Sequence, residues 1–431
     1  MTDLARSPRS IPWADHAIWW QVYPLGFVGA DLSADRRPAT GSSSEHRLSR
    51  LLPWLDDLVA LGANGLLLGP VFDSATHGYD TVDHFRIDPR LGDDADVDAL
   101  IASCRERGIR VLFDGVFNHV GRAHPWWQEA VAAGPGSAAA ARFSTSPDAV
   151  EVDGLHVDVF EGHDALVVLD HGHPEVIALA GSVMAHWLDR GIDGWRLDAA
   201  YAVPPAFWRA SIDPLRARFP DAWFVGEVIH GDYIAYVEES GLDSVTQYEL
   251  WSAIRGAISS RNWFELAWSL KRHDEFSAVF LPLTFLGNHD VTRIASAIDD
   301  ERHLGHAIAV LMFVAGTPSI YSGDERGLRA VKEERVGGDD AIRPEFPLSP
   351  GDWPGGPVYE LYREAIAFRR RHPWLARAQV TAEELSNEAV LLVATGPNGE
   401  SAALALNLAD DPRTLGGAPV APHSWEYRDT P

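Results

Sequence analysis

Three acids and one arginine stand at the ends of apolar runs in this chain. Arg196 and Asp198 close Asp193-Gly194-Trp195-Arg196-Leu197-Asp198, and Glu227 closes Ala222-Trp223-Phe224-Val225-Gly226-Glu227. Asp290 ends Asn288-His289-Asp290, which follows the apolar stretch 279–287. Paired carboxylates are the chemistry of glycoside cleavage with retention: one attacks the anomeric carbon while the other, protonated, donates to the leaving oxygen from about 5 Å away. Arg196 precedes Asp198 by two residues, so a strand presents both on one side, and the guanidinium is expected to hold Asp198 ionised as a nucleophile. Glu227 is then the candidate general acid and base, with Asp290 placed to bind sugar hydroxyls.

Strands that are apolar throughout and end in a charge read as parallel strands buried on both faces. In a (β/α)8 barrel their C-terminal tips form the active-site face. Strand-like and helical runs alternate: 17–23 then a helix over about 47–61, 65–71 then a helix over about 96–107, and 110–117. Alternation of this kind implies right-handed β/α units. The stretch to about Leu169 is too long and too β-like for one loop, so it reads as a small inserted domain after the third strand. Helical character resumes over 174–190, and further strands end at Asp198 and Glu227, span 243–248, end at Asp290 and cover 317–321. From about Ala378 the pattern alternates around Gly396-Pro397-Asn398-Gly399, a hairpin signature. The expected architecture is an α/β TIM barrel with barrel segments 1–119 and 170–377, an inserted domain 120–169 and a short C-terminal all-β domain 378–431.

The 431 residues, 46% hydrophobic, are enough for one barrel and accessory modules. Sixty-two acidic against 36 basic residues give a net charge of −26, which argues against nucleic acid or an anionic membrane as partner. A neutral sugar fits that surface. The single Cys104 excludes an internal disulfide and a thiolate metal cluster, and its place in a helical run reads as core. With no signal-peptide core near the start and no bilayer-length apolar run, the expected compartment is the cytoplasm. Sixteen tryptophans offer flat faces for pyranose stacking, although most are expected in the core.

The ordered motifs resemble the α-amylase superfamily, glycoside hydrolase family 13, over nearly the whole chain. Asp114-Gly115-Val116-Phe117-Asn118-His119, Gly194-Trp195-Arg196-Leu197-Asp198, Gly226-Glu227 and Asn288-His289-Asp290 are similar to its third, fourth, fifth and seventh strand motifs. His77-Gly78-Tyr79-Asp80 through Asp88-Pro89-Arg90 is similar to its second-strand loop. The resemblance implies Asp198 as nucleophile, Glu227 as acid and base, and Asp290 as transition-state stabiliser, with Tyr79, His119, Arg196 and His289 contacting the sugar. Arg343, in the loop 337–343, is the candidate for the next sugar toward the non-reducing end; simple pairing with Asp339 or Asp340 is the alternative.

Many relatives hold a structural calcium through an asparagine, an aspartate and a histidine. Here Asn118 is kept, Val168 stands at the aspartate position, and Asp198-Ala199-Ala200-Tyr201-Ala202 offers no histidine. Calcium prefers six to eight oxygen ligands, so that site is expected to be absent and no cofactor is expected. His171 and His173 read as polar and capping residues. Tyr201, Trp251, Val228 and Ile229 suggest an apolar, restricted acceptor side, and the chain looks more like the neopullulanase and cyclomaltodextrinase side of the family. The expected substrate is a short linear or cyclic malto-oligosaccharide. Transglycosylation through the same intermediate, a catalytically silent sugar-binding protein and a metal-dependent barrel hydrolase are the competing readings, and oligomeric state is open.

Overall fold

A computed structural model describes residues 11–33, 46–335 and 337–429. Eight parallel strands form the central sheet: β1 (Trp19–Val22), β2 (Gly65–Leu68), β3 (Arg110–Gly115), β4 (Gly194–Leu197), β5 (Trp223–Gly226), β6 (Ser244–Val245), β7 (Leu283–Phe285) and β8 (Thr317–Tyr321). Their spatial order is β6-β5-β4-β3-β2-β1-β8-β7, and a bridge from Thr246 to Leu283 joins the two edges into a barrel. β4, β5 and β8 end where the sequence reading puts them or one residue before, but β6 stops at Val245 and β7 at Phe285, both shorter than the apolar runs suggested. In the seventh, residues 279–280 belong to the turn after helix Trp263–Ser277, so pairing begins only at Leu283. In the sixth, Gln247 accepts from the Leu250 amide as a cap, which starts a helix at Tyr248 and stops the strand.

The barrel interior is filled rather than hollow. The indoles of Trp19 and Trp223 stack inside with centroids 5.6 Å apart, and Trp13 closes on them edge-on. Glycines make that room: a Cβ at Gly65 would lie 2.3 Å from the Trp19 ring, and one at Gly194 would lie 1.9 Å from the Trp223 carbonyl oxygen. With the interior packed, the strand tips are the end at which a barrel of this kind presents its active site.

Between β3 and helix Pro174–Arg190 lie the helix Pro125–Ala133, a hairpin of Val150–Val152 with Leu155–Val157, and an antiparallel sheet. That sheet has His163–Val168 at its centre, flanked by His119–Gly121 and Val159–Phe160. After helix Pro357–Arg371 come four antiparallel strands in sequence order: β9 (Gln379–Glu383), β10 (Ala389–Thr395), β11 (Ser401–Asn407) and β12 (Ser424–Asp429). The expected hairpin is present, with Thr395 opposite Ser401 and Gly399 at φ +87° in the turn. No described helix is long and apolar enough to cross a membrane.

Candidate active site

Strand register assembles the acid cluster. Arg196 of β4 is the pairing partner of Asp114 of β3, and Leu197 pairs with Gly226, so Asp198 and Glu227 emerge side by side. Arg196 Nη1 meets Asp114 Oδ2, and meets Asp198 Oδ1 at 3.1 Å; Nη2 meets Glu227 Oε1 at 2.8 Å. One buried guanidinium thus holds three carboxyls, which is why it can be buried at all. Burial opposes its charge, but Asp114, Glu227, Tyr79 and Asp198 keep it firmly protonated.

The electrostatics of Asp198 differ from the sequence expectation. Burial drives its carboxyl well above the usual range; Arg196 pulls it down, as anticipated, but Glu227, Asp114 and Asp290 push it up again. Burial is the main cause, and crowding adds to it, since the arginine is shared among several acids rather than dedicated to one. Asp114 is likewise pushed up to about 6, by burial ahead of the opposing pull of Arg196. Asp290 behaves oppositely: burial raises it, but His289, Arg343 and Arg196 hold it below the ordinary carboxylate range.

The binding candidates fall around this cluster in distinct ways. The Tyr79 hydroxyl reaches Asp114 Oδ2 at 3.3 Å and also meets His289 Nε2. His289 Nε2 lies 3.0 Å from Asp290, while its Nδ1 faces Gln21 Nε2 at 3.2 Å. His119 is buried, with Asn118 Nδ2 3.1 Å from its Nδ1 and the Tyr79 carbonyl 3.1 Å from its Nε2. Those partners assign Nε2 as the protonated nitrogen, and the ring stacks on Phe160 of the inserted segment at 4.7 Å. Burial pushes His119 down to about 3, so it is a neutral wall.

Arg343 makes the pairing that the sequence offered as the alternative to sugar contact, and it also reaches the acid cluster. It pairs with Asp339 at 3.0 Å, and the same nitrogen reaches Asp290 at 2.8 Å while Nε donates to the His289 carbonyl at 2.7 Å. Tyr201 donates its hydroxyl to Glu161 of the inserted segment at 2.6 Å, and its amide to the Glu227 carbonyl at 3.0 Å. Trp251 gives its indole N–H to the Leu286 carbonyl and lies edge-on to Tyr248 at 5.8 Å, so it backs the cluster through that tyrosine. Of the two apolar residues after the acid, Ile229 is exposed, but Val228 is buried and its side chain cannot line a cleft.

Sequence reasoning gave no role to Asp114, Gln21, Tyr248, Asn288 or Glu161. Asp114 carried a usable signal: an acid inside an apolar strand run, opposite an arginine on the next. Tyr248 carried none, because its place depends on where β6 stops. His173 caps its helix by accepting from the Glu175 amide at 3.2 Å. Among the described residues, groups with metal-ligand composition are Asp300/His303/His423 and His46/Asp93/Asp96; neither includes a member of the acid cluster.

The family model for the alpha amylase catalytic domain matches residues 21–149 and 155–352. The chain belongs to the α-amylase family. Among curated relatives, it is 33% identical over 338 residues to a cyclomaltodextrinase of Bacillus sp, covering 73% of this chain and 60% of that protein. It is 30% identical over 405 residues to neopullulanase 2 of Thermoactinomyces vulgaris, covering 88% of this chain and 67% of that protein. Among solved structures, the cyclic alpha-maltosyl-(1-->6)-maltose hydrolase from Arthrobacter globiformis in complex with maltose superposes with a TM-score of 0.83 at 28% identity. That match covers 97% of this chain and 100% of that one. Within the α-amylase family, then, this chain is similar in its full extent to a hydrolase of comparable span, and spans about 60% of the longer cyclomaltodextrinase.

Proposed function

We propose that this α-amylase family member is a retaining α-glucosidic hydrolase of short linear or cyclic malto-oligosaccharides. The observation that carries the reading is the single guanidinium of Arg196 touching both Asp198 and Glu227 from adjacent strand tips. Asp198 attacks the anomeric carbon as Glu227 delivers a proton to the leaving oxygen, giving a glycosyl ester on Asp198. Glu227, now ionised, takes a proton from water, which opens the ester with overall retention. Asp290, kept ionised by His289 and Arg343, is suited to hold sugar hydroxyls and to offset oxocarbenium charge. The oligosaccharide preference is supported by relatives named cyclomaltodextrinase, neopullulanase and cyclic alpha-maltosyl-(1-->6)-maltose hydrolase. A cytoplasmic setting belongs to the same proposal. Transglycosylation differs only in whether a sugar hydroxyl replaces water.

The test is a panel of maltose, isomaltose, panose, cyclic dextrins, trehalose and sucrose, with the first product followed by proton magnetic resonance. A product that retains its anomeric configuration, and an Asp198→Ala variant that folds but does not turn over, are expected. An inverted first product would refute the mechanism.

A further inference from the structure

Tyr248 is buried at the first turn of helix Tyr248–Ser259, and its hydroxyl lies 3.0 Å from Glu227 Oε1. The direction of that hydrogen bond is fixed from outside. Asn288 Oδ1 accepts from the Asp290 amide at 2.9 Å, which leaves its Nδ2 to donate to the Tyr248 oxygen at 2.8 Å. A phenol that receives a hydrogen bond there gives its own hydrogen to Glu227. Burial, then the charges of Glu227 and Asp290, hold the phenol protonated, so it remains a donor at every working pH.

Oε1 of Glu227 therefore faces two donors, Tyr248 and Arg196, while Oε2 faces the Ala199 amide at 3.1 Å. An oxygen gripped by two donors has no room for a hydrogen of its own. We infer that Tyr248, oriented by Asn288, is a positioning residue that confines the proton Glu227 must donate to Oε2 and fixes the direction in which it is delivered. Phe285 and Trp251 lie edge-on to the Tyr248 ring at 4.9 and 5.8 Å, which removes its freedom to swing away. The relay also joins two strand tips: the Asn288-His289-Asp290 segment senses the acid through Tyr248.

This inference rests on the hydrolase reading, so wild-type turnover of a malto-oligosaccharide is the first measurement. Its absence would overturn that reading and the proton-delivery role with it, whereas the outcomes below bear on the role alone. With turnover in hand, Tyr248→Phe keeps the ring and removes only the donor. Protonation matters most for a poor leaving group, so kcat on maltotriose is expected to fall about tenfold, with KM little changed. On α-maltosyl fluoride, which needs no acid, it should fall less than twofold. A donor to a carboxylate favours its ionised form, so the alkaline limb of the pH profile should move up by about half to one unit. Asn288→Ala, which frees the phenol to rotate, should give a smaller version of the same change, and the double variant should be no worse than Tyr248→Phe alone. Equal losses on both substrates, or an unmoved alkaline limb in both single variants, would overturn the assignment.

Discussion

Arg196 is where the cluster is most exposed to a single change, because its charge is shared among Asp114, Asp198 and Glu227. Removing it leaves carboxyls buried against one another, and breaking a buried ion group typically costs about 3–5 kcal/mol. The pH dependence has a definite sign. Asp114 stands near 6, raised by burial, so the folded chain binds more protons than the unfolded one between about 4 and 6, and stability falls as pH rises through that window. Arg196→Ala should widen the window upward, so urea midpoints of variant and wild type are expected to differ more at pH 8 than at pH 5. Equal destabilisation at both would show that lost packing, not lost charge, is responsible. Asp198 and Glu227 were legible in the sequence because each ends an apolar run, whereas Asp114 was given no role. Their protonation was not, since it depends on how many groups share one guanidinium.

Two contacts tie the barrel to its accessory segments. The turn after β4 carries Tyr201, whose bond to Glu161 straps it to the inserted segment and narrows the proposed acceptor side. Tyr201→Ala should lower kcat/KM on maltotriose to maltoheptaose by about two- to twelvefold, the loss of about 0.5–1.5 kcal/mol of stacking, and soluble starch should be a poor substrate throughout. Starch preferred over every oligosaccharide, or no change on any substrate, would end the narrow-cleft reading. Lower down, Asp274 of helix Trp263–Ser277 accepts from the Val380 amide of β9 at 3.2 Å, and burial pushes its carboxyl up to about 6. An asparagine keeps the acceptor without an ion to desolvate. Asp274→Asn is therefore expected to raise Tm by about 2 °C at pH 7.5, where the wild-type carboxyl is ionised at a cost, and to change nothing near pH 4. A loss of stability at pH 7.5 would mean that the charge contributes to the bond. The sequence showed alternation from about Ala378 but named no helix over 263–277; β6 and β7 came out shorter because a cap at Gln247 and a turn after Ser277 outweigh apolar content.

At the scale of the whole molecule, the C-terminal sheet is docked through aromatic contacts: Tyr427 stacks on Phe368 at 4.0 Å and donates to the Ala309 carbonyl at 2.9 Å. The calcium site implied by the family resemblance would lie between barrel and inserted segment, at the positions of Asn118, Val168 and Ala202. Val168 pairs there with His119 across two strands, and Ala202 closes a short turn; neither side chain carries oxygen. Tm is accordingly expected not to respond to a calcium chelator, and a fall of several degrees reversed by calcium alone would show that other groups rebuild the site. By itself the sequence determined the barrel, the order of its motifs and the three acids, because apolar period and strand-end charges are local properties. It could not determine that Arg196 serves three carboxyls, that both ring nitrogens of His119 are occupied, or that Tyr248 rather than Trp251 meets Glu227. Those facts depend on strand register and on where helices begin, so residues as distant in sequence as Gln21 and His289, 268 positions apart, meet only once the barrel closes.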